Sequence, residues 1–211
     1  SEDQLPSDTV FKVTRPKAVD CWLELLKIIL RFGEIRQSFH GNRLKEEFNL
    51  AAIVTGEDPD NFHLPDWLPI SRSDVESYLP RIMTGEKGTE DYTYGERLWN
   101  FNGTNQEETV MVDFLKRYPT DRAAIAVLFD PMRDHSGRSA PCITLVQATN
   151  SGELLNLTAY VRSHSIFSGW ILNIFGLRTL QKYIADKLGQ KLGTLTVFSN
   201  CSHIYENEWQ Q

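Results

Sequence analysis

Cysteine is scarce in this chain: Cys21, Cys142 and Cys201 are the three among 211 residues. None stands in a CxxC pair and an odd number leaves one over, which excludes a disulfide framework or a zinc site as the organising device. That usage fits a reduced, cytoplasmic protein, and the sequons at Asn102, Asn156 and Asn200 are then chance. No apolar run approaches the roughly 20 residues that cross a bilayer. Residues 1–4 are polar and acidic, so neither a membrane span nor a secretory signal is expected. Positive charge is short as well, with 22 Lys and Arg against 28 Asp and Glu for a net charge of −6. A basic protein that coats nucleic acid is excluded, whereas a site for one small anion needs only a few local arginines. With 13 Gly and 9 Pro the chain is not collagen-like. Its 41% hydrophobic and 11% aromatic content rules out disorder and suffices for one core.

The pattern along the chain predicts an α+β fold. Residues 1–16 are polar and read as a loose leader, with one domain over 17–211. Over 18–32, Trp22, Leu25, Leu26, Ile29 and Phe32 recur at helical spacing, and Gly33 follows where a helix ends. The charged stretch 42–48 leads into the apolar run 50–54, readable as a helix continuation or as a buried strand. Three prolines and several acids make 56–72 a surface loop. Short helices follow at 73–82 and 107–118, the latter amphipathic through Val110, Met111, Phe114 and Leu115. Strands are expected at 123–129, 143–148, 154–162 and 193–199. Residues 155–161 alternate Leu155, Leu157, Ala159 and Val161 against Asn156, Thr158 and Tyr160, the period of a half-buried strand. The longest helical stripe covers 167–188 and stops at Gly189. Helices first, then strands with one inserted helix, imply a single bent mixed sheet packed by helices.

Four features of the second half carry chemistry. Cys142 opens a strand after the polar loop 130–138, where nearby cations would favour the thiolate; a small buried hydrophobe is the plainer reading. Arg162 and Ser163 place a guanidinium beside a hydroxyl, as an anion requires, or else form a surface strand end. Asn173 sits in an apolar helix, where its amide needs a partner in the protein or in a ligand. His203 and Tyr205 share one side of a strand end, which is often merely wet.

Taken together and in order, these motifs resemble the thymidylate synthase family. Pro141-Cys142, Arg162-Ser163, Gly169, Asn173 and His203-x-Tyr205 follow one another at that family's spacing, preceded by DYTYGERL around Tyr94-Gly95 and by Pro119-Thr120-Asp121-Arg122. The likeness covers about residues 18–209, and LTAYxRSH and HIYE are similar to its shorter, archaeal-type branch. It implies a homodimer through the sheet with shared active sites, a dUMP-like nucleotide, and methylenetetrahydrofolate or a related pterin as co-substrate, with no metal, nucleic acid or membrane partner. Cys142 would attack C6 of the pyrimidine. Arg162 and Ser163 would hold the phosphate, Arg122 would reach the neighbouring subunit's phosphate, and His203 with Tyr205 would hold the ribose hydroxyl. Asn173 would read the base, Gly169 would border the folate, and Tyr94 would belong to the proton-carrying water network. An amide at Asn173 offers one donor and one acceptor, which matches uracil; cytosine would favour a carboxylate there.

The resemblance has departures. Aligning AAIVTG with the family's segment puts Asn49 where its catalytic Glu usually stands, and an amide cannot relay protons in the same way. Ala123 replaces a second arginine after Arg122, and Ser165 an aspartate. The leading expectation is C5 methyl transfer to dUMP. A pyrimidine nucleotide C5 hydroxymethylase and a catalytically altered nucleotide-binding homologue are the alternatives.

Overall fold

A computed structural model, describing residues 9–135 and 139–209, shows one mixed α+β domain. The chain runs through β1 (Phe11–Arg15), α1 (Ala18–Phe32), β2 (Glu34–Gln37) and β3 (Arg43–Val54). Helices α2 (Arg72–Tyr78), α3 (Pro80–Met83) and α4 (Tyr94–Trp99) follow, then a π-helical segment, Glu107–Val112, that runs into α5 (Asp113–Arg117). The second half holds β4 (Ile125–Val127), α6 (Pro131–Asp134), β5 (Ile143–Ser151), β6 (Leu154–Ser165), α7 (Trp170–Leu188) and β7 (Lys191–Tyr205). The sheet order is β1-β3-β7-β6-β5-β4, with β2 on the other half of the β3 edge. β1 with β3 and β6 with β7 are parallel, and α7 makes the crossover between the latter two.

The long helices obey their sequence pattern. Helix α1 buries Trp22, Leu25 and Ile29 against β3, and α7 buries Ile174, Leu177 and Leu180 beside it on the same face. Gly189 closes α7 at φ 66°, a left-handed position that glycine adopts without steric cost. The first turn of α1 has no side-chain cap of its own. The Glu57 carboxylate supplies one from the following loop, accepting the Ala18 N–H at 2.7 Å and the His63 N–H at 2.8 Å.

Elsewhere the structure departs from the pattern. Phe11–Arg15, inside the expected leader, is not loose: it adds to β3 as a parallel strand, with Val13 buried. Residues 1–8 of that leader lie outside the described residues. Arg43–Val54 is one continuous strand rather than a helix continuation, because β7 pairs with it along nearly its whole length. The sheet thus draws strands from both ends of the chain. The helix expected at 73–82 divides at Pro80, which lacks the N–H an interior position needs.

The first half of the 107–118 helix is π-helical. Its wider turn carries Glu107 inside, where both carboxylate oxygens lack a hydrogen-bond partner among the described residues. Burial, with Glu108 nearby, pushes the Glu107 carboxyl up to about 8. The folded chain therefore holds a proton that the unfolded chain releases above about pH 4.5, and the resulting cost grows until about pH 8. Glu107→Gln is expected to melt about 3 °C or more above the wild type at pH 8 and close to it near pH 4.5, measured by scanning calorimetry. Equal midpoints at pH 8 would show the carboxyl to be hydrated.

Candidate active site

The sheet ladder breaks along one row. Pairing between β3 and β7 passes from Phe48–Cys201 to Leu50–Ser199, skipping Asn49 and Asn200. Between β6 and β7 it passes from Val161–Ser199 to Ser163–Cys201, skipping Arg162. Asn49 takes a left-handed φ of 59° at this row. The alternation of buried side chains shifts by one residue there: Leu155 to Val161 point inward at odd numbers, and His164 then points inward at an even one. In β7 the same step carries burial from Ser199 to Ser202.

Cys142 meets the sheet where the row ends. The Arg162 backbone N–H donates to the Cys142 carbonyl at 2.9 Å. The Arg162 guanidinium donates through Nε to the Pro141 carbonyl at 2.9 Å and through Nη2 to that of Ala140 at 2.6 Å. Residues 140–142 are thus pinned to the end of β6. Two of the five guanidinium N–H groups are used in this way, which leaves three for a ligand.

Cys142 opens on a pocket of about 440 Å³ whose walls also include Tyr78, Arg81, Asp91, Tyr92, Tyr94 and Ser139. Glu90, Thr93, Ser163, His164, Ser165, Gly169 and Asn173 complete it. The loop and α4 bring Tyr92 and Tyr94 side by side, ring centroids 5.9 Å apart. Helix α4 is capped by the Thr93 hydroxyl, which accepts the Glu96 N–H. It is anchored one turn on by buried Arg97, which grips Asp134 with two bonds of 2.8 Å. Arg81 at the mouth pairs with Glu90 at 2.6 Å.

Desolvation sets the electrostatics. It raises the Cys142 thiol above its ordinary value, and the Arg162 charge and Tyr94 hydroxyl pull the other way with less effect. Proximity to a cation therefore does not by itself yield a thiolate in the free protein. Burial also raises Tyr94 and lowers His203. It drives His164 down to about 3, with His203 contributing, so the His164 imidazole is neutral at physiological pH.

The structure gathers Cys142, Tyr94, Ser163, Gly169 and Asn173 into one pocket and ties the Arg162 guanidinium to the two carbonyls that precede Cys142. His203 and Tyr205 lie at the adjoining end of β7, rings 5.1 Å apart and edge-on, with His203 opposite Ser165 of the pocket wall. Arg122 is elsewhere, exposed before β4 in a hollow with Arg117 and Tyr118. Asn49 does not line this pocket; it is an exposed strand residue at the ladder break. The groups that sequence reasoning passed over are Tyr78, Tyr92 and His164. Tyr92 and His164 lie inside the motifs DYTYGERL and LTAYVRSH, whereas nothing local distinguishes Tyr78.

Fold and pocket together define an α+β protein with a thiol, an arginine and a buried amide gathered at the end of a mixed sheet, a set of groups suited to group transfer on a polar ring. More narrowly, the chain belongs to the thymidylate synthase family, whose model matches residues 20–211. It is 32% identical over 200 residues to a protein of Methanosarcina barkeri that carries the provisional name thymidylate synthase, covering 94% of this chain and 91% of that one. A likewise named protein of Methanopyrus kandleri is 32% identical over 198 residues, covering 93% and 94%. One from Methanococcoides burtonii is 30% identical over 193 residues, covering 91% and 88%.

Iodoacetamide labelling of Cys142, followed by peptide mass spectrometry against pH, is expected to rise through a midpoint above the ordinary thiol value of 9.0. Tyr94→Phe is expected to move that midpoint further up, because the Tyr94 hydroxyl lowers it. A midpoint at or below neutral pH would contradict the dominance of desolvation.

Proposed function

We propose that this chain transfers a one-carbon unit to C5 of dUMP, giving dTMP, with a methylenetetrahydrofolate-type pterin as co-substrate. The observation that carries the reading is the shared pocket of Cys142, Tyr94, Ser163, Gly169 and Asn173. C5 of uracil is a poor nucleophile. When the Cys142 sulfur adds to C6, the ring electron pair moves to O4 as an enolate and C5 becomes reactive; loss of the sulfur later restores the ring. The thiol proton must leave first, and the Tyr94 hydroxyl, which favours the charged sulfur, steadies the thiolate that remains.

Arg162, with three N–H groups still available, and the Ser163 hydroxyl face the phosphate. His203 and Tyr205 hold the ribose hydroxyl. The aromatic walls Tyr78 and Tyr92, the bare backbone of Gly169 and the Arg81 cation suit a flat pterin with an anionic tail, which supplies the carbon and the reducing equivalents when bound. Arg122 serves the phosphate of a second copy. The sheet face turned away from α1 and α7 supports that dimer: Val127, Leu145, Tyr160 and Phe198 form one cross-strand row, and all but Leu145 are exposed apolar side chains. Three unpaired cysteines suit a reducing cytoplasm.

Purified protein given dUMP tritiated at C5 and methylenetetrahydrofolate is expected to release tritium and form dTMP, and Cys142→Ala to do neither. A hydroxymethyl product would shift the assignment to the hydroxymethylase, and no tritium release from the wild type would refute catalysis. Phe198→Glu is expected to give monomers on size exclusion and to lower tritium release at least about tenfold, through loss of Arg122 from the partner site. A fully active monomer would contradict shared sites.

A further inference from the structure

Asn173 is clamped at both ends of its side chain. The Tyr78 hydroxyl donates to Asn173 Oδ1 at 2.6 Å, and Asn173 Nδ2 lies 3.0 Å from His164 Nε2. Beyond it, His164 Nδ1 lies 2.8 Å from the Ser199 hydroxyl. Asn173 and His164 are buried at 8% and 2% exposure, and Tyr78 is half-buried. We propose that Tyr78 and His164 are specificity-determining positioning residues that hold the Asn173 amide in one of its two orientations, and that this orientation selects uracil over cytosine. The inference rests on the dUMP reading and deepens it.

The reason lies in the symmetry of an amide. Its oxygen and nitrogen are nearly the same size, so a half-turn about the last side-chain bond exchanges donor and acceptor at no steric cost. In one orientation the free positions answer a ring that offers O4 as acceptor and N3–H as donor, which is uracil. In the other they answer N3 as acceptor and the N4 amino group as donor, which is cytosine. An unclamped asparagine could therefore read either base.

The hydrogen-bond accounting leaves the correct residue of valence. Asn173 Oδ1 has two acceptor positions and Tyr78 takes one; Nδ2 has two N–H groups and His164 takes one. One acceptor and one donor remain for a ligand. Turning the amide over would point an N–H at the Tyr78 oxygen and strand the phenol proton, which burial keeps in place. At the other end it would require His164 to move its proton from Nδ1 to Nε2 and Ser199 to become the donor. The two ends thus resist the turn together.

Two other features of the fold build the clamp. Gly176, one turn beyond Asn173 on α7, leaves room for Tyr78: a Cβ there would lie 2.9 Å from the Tyr78 ring and 2.9 Å from the Ile82 side chain. The ladder break turns His164 inward towards α7, where unbroken alternation would have turned it outward.

The test is the affinity of the full chain for dUMP and dCMP by calorimetry, in the wild type, Tyr78→Phe and Ser199→Ala. Tyr78→Phe keeps the ring and removes the proton donor; Ser199→Ala keeps His164 and frees its tautomer. Both are expected to lower the dUMP-to-dCMP affinity ratio at least about tenfold, chiefly because dCMP binds more tightly. A purely structural role would weaken both nucleotides together, and that result, or an unchanged ratio, would overturn the clamp. Independently of any variant, 15N shifts of His164 in the wild type are expected to report the Nδ1–H tautomer, and the Nε2–H tautomer would overturn it. A wild type that binds neither nucleotide while His164 shows the Nδ1–H tautomer would refute the dUMP reading on which the inference rests.

Discussion

The ladder break across β3, β7 and β6 is the constraint on which the site depends. A regular sheet offers one face to the helices and one to the outside, with a fixed parity for every strand. Skipping Asn49, Asn200 and Arg162 in a single row changes that parity without ending the strands. The lower part of the sheet buries Leu155, Leu157, Ala159 and Val161, and the upper part buries His164 and Ser202. Polar side chains of β6 and β7 thereby turn into the helix-covered layer at the end where Cys142 arrives. Arg162 at the break then ties the incoming segment down through the carbonyls of Ala140 and Pro141.

Placing these groups has an energetic cost that the surrounding structure offsets. Burial opposes the charged forms of Cys142, Tyr94 and His164, so the thiol and the phenol sit high and the imidazole sits low. The protein keeps those side chains neutral and uses them as directional hydrogen-bond partners. Two deeply buried charges serve the scaffold: Arg97 on Asp134, Arg178 on the carbonyls of Glu57 and Gly193.

How far the sequence disclosed this differs from element to element. Helices α1 and α7 are long enough for their apolar stripes to declare both ends, and β6 follows from its alternation. The site motifs were equally visible, because Cys142, Arg162-Ser163, Gly169 and Asn173 keep a spacing that the sheet and α7 impose. What stayed hidden depends on partners distant in sequence. Phe11–Arg15 is a strand only because Leu50–Val54 lies beside it, and the cap of α1 comes from Glu57. The interruption at Asn49 was hidden because an apolar run after a charged one does not reveal a strand broken in its middle. His164 lies inside a recognised motif, yet its inward direction follows from the change of parity, and Tyr78 reaches Asn173 only because Gly176 lets α2 approach α7.

The most direct measurement of the central claim is a crystal structure of the protein with dUMP. The account predicts the pyrimidine in the Cys142 pocket, with the sulfur bonded to C6 or within about 3.5 Å of it and the Asn173 amide on O4 and N3. A nucleotide bound outside that pocket, or a Cys142 sulfur turned from the ring while Asn173 contacts it, would contradict it.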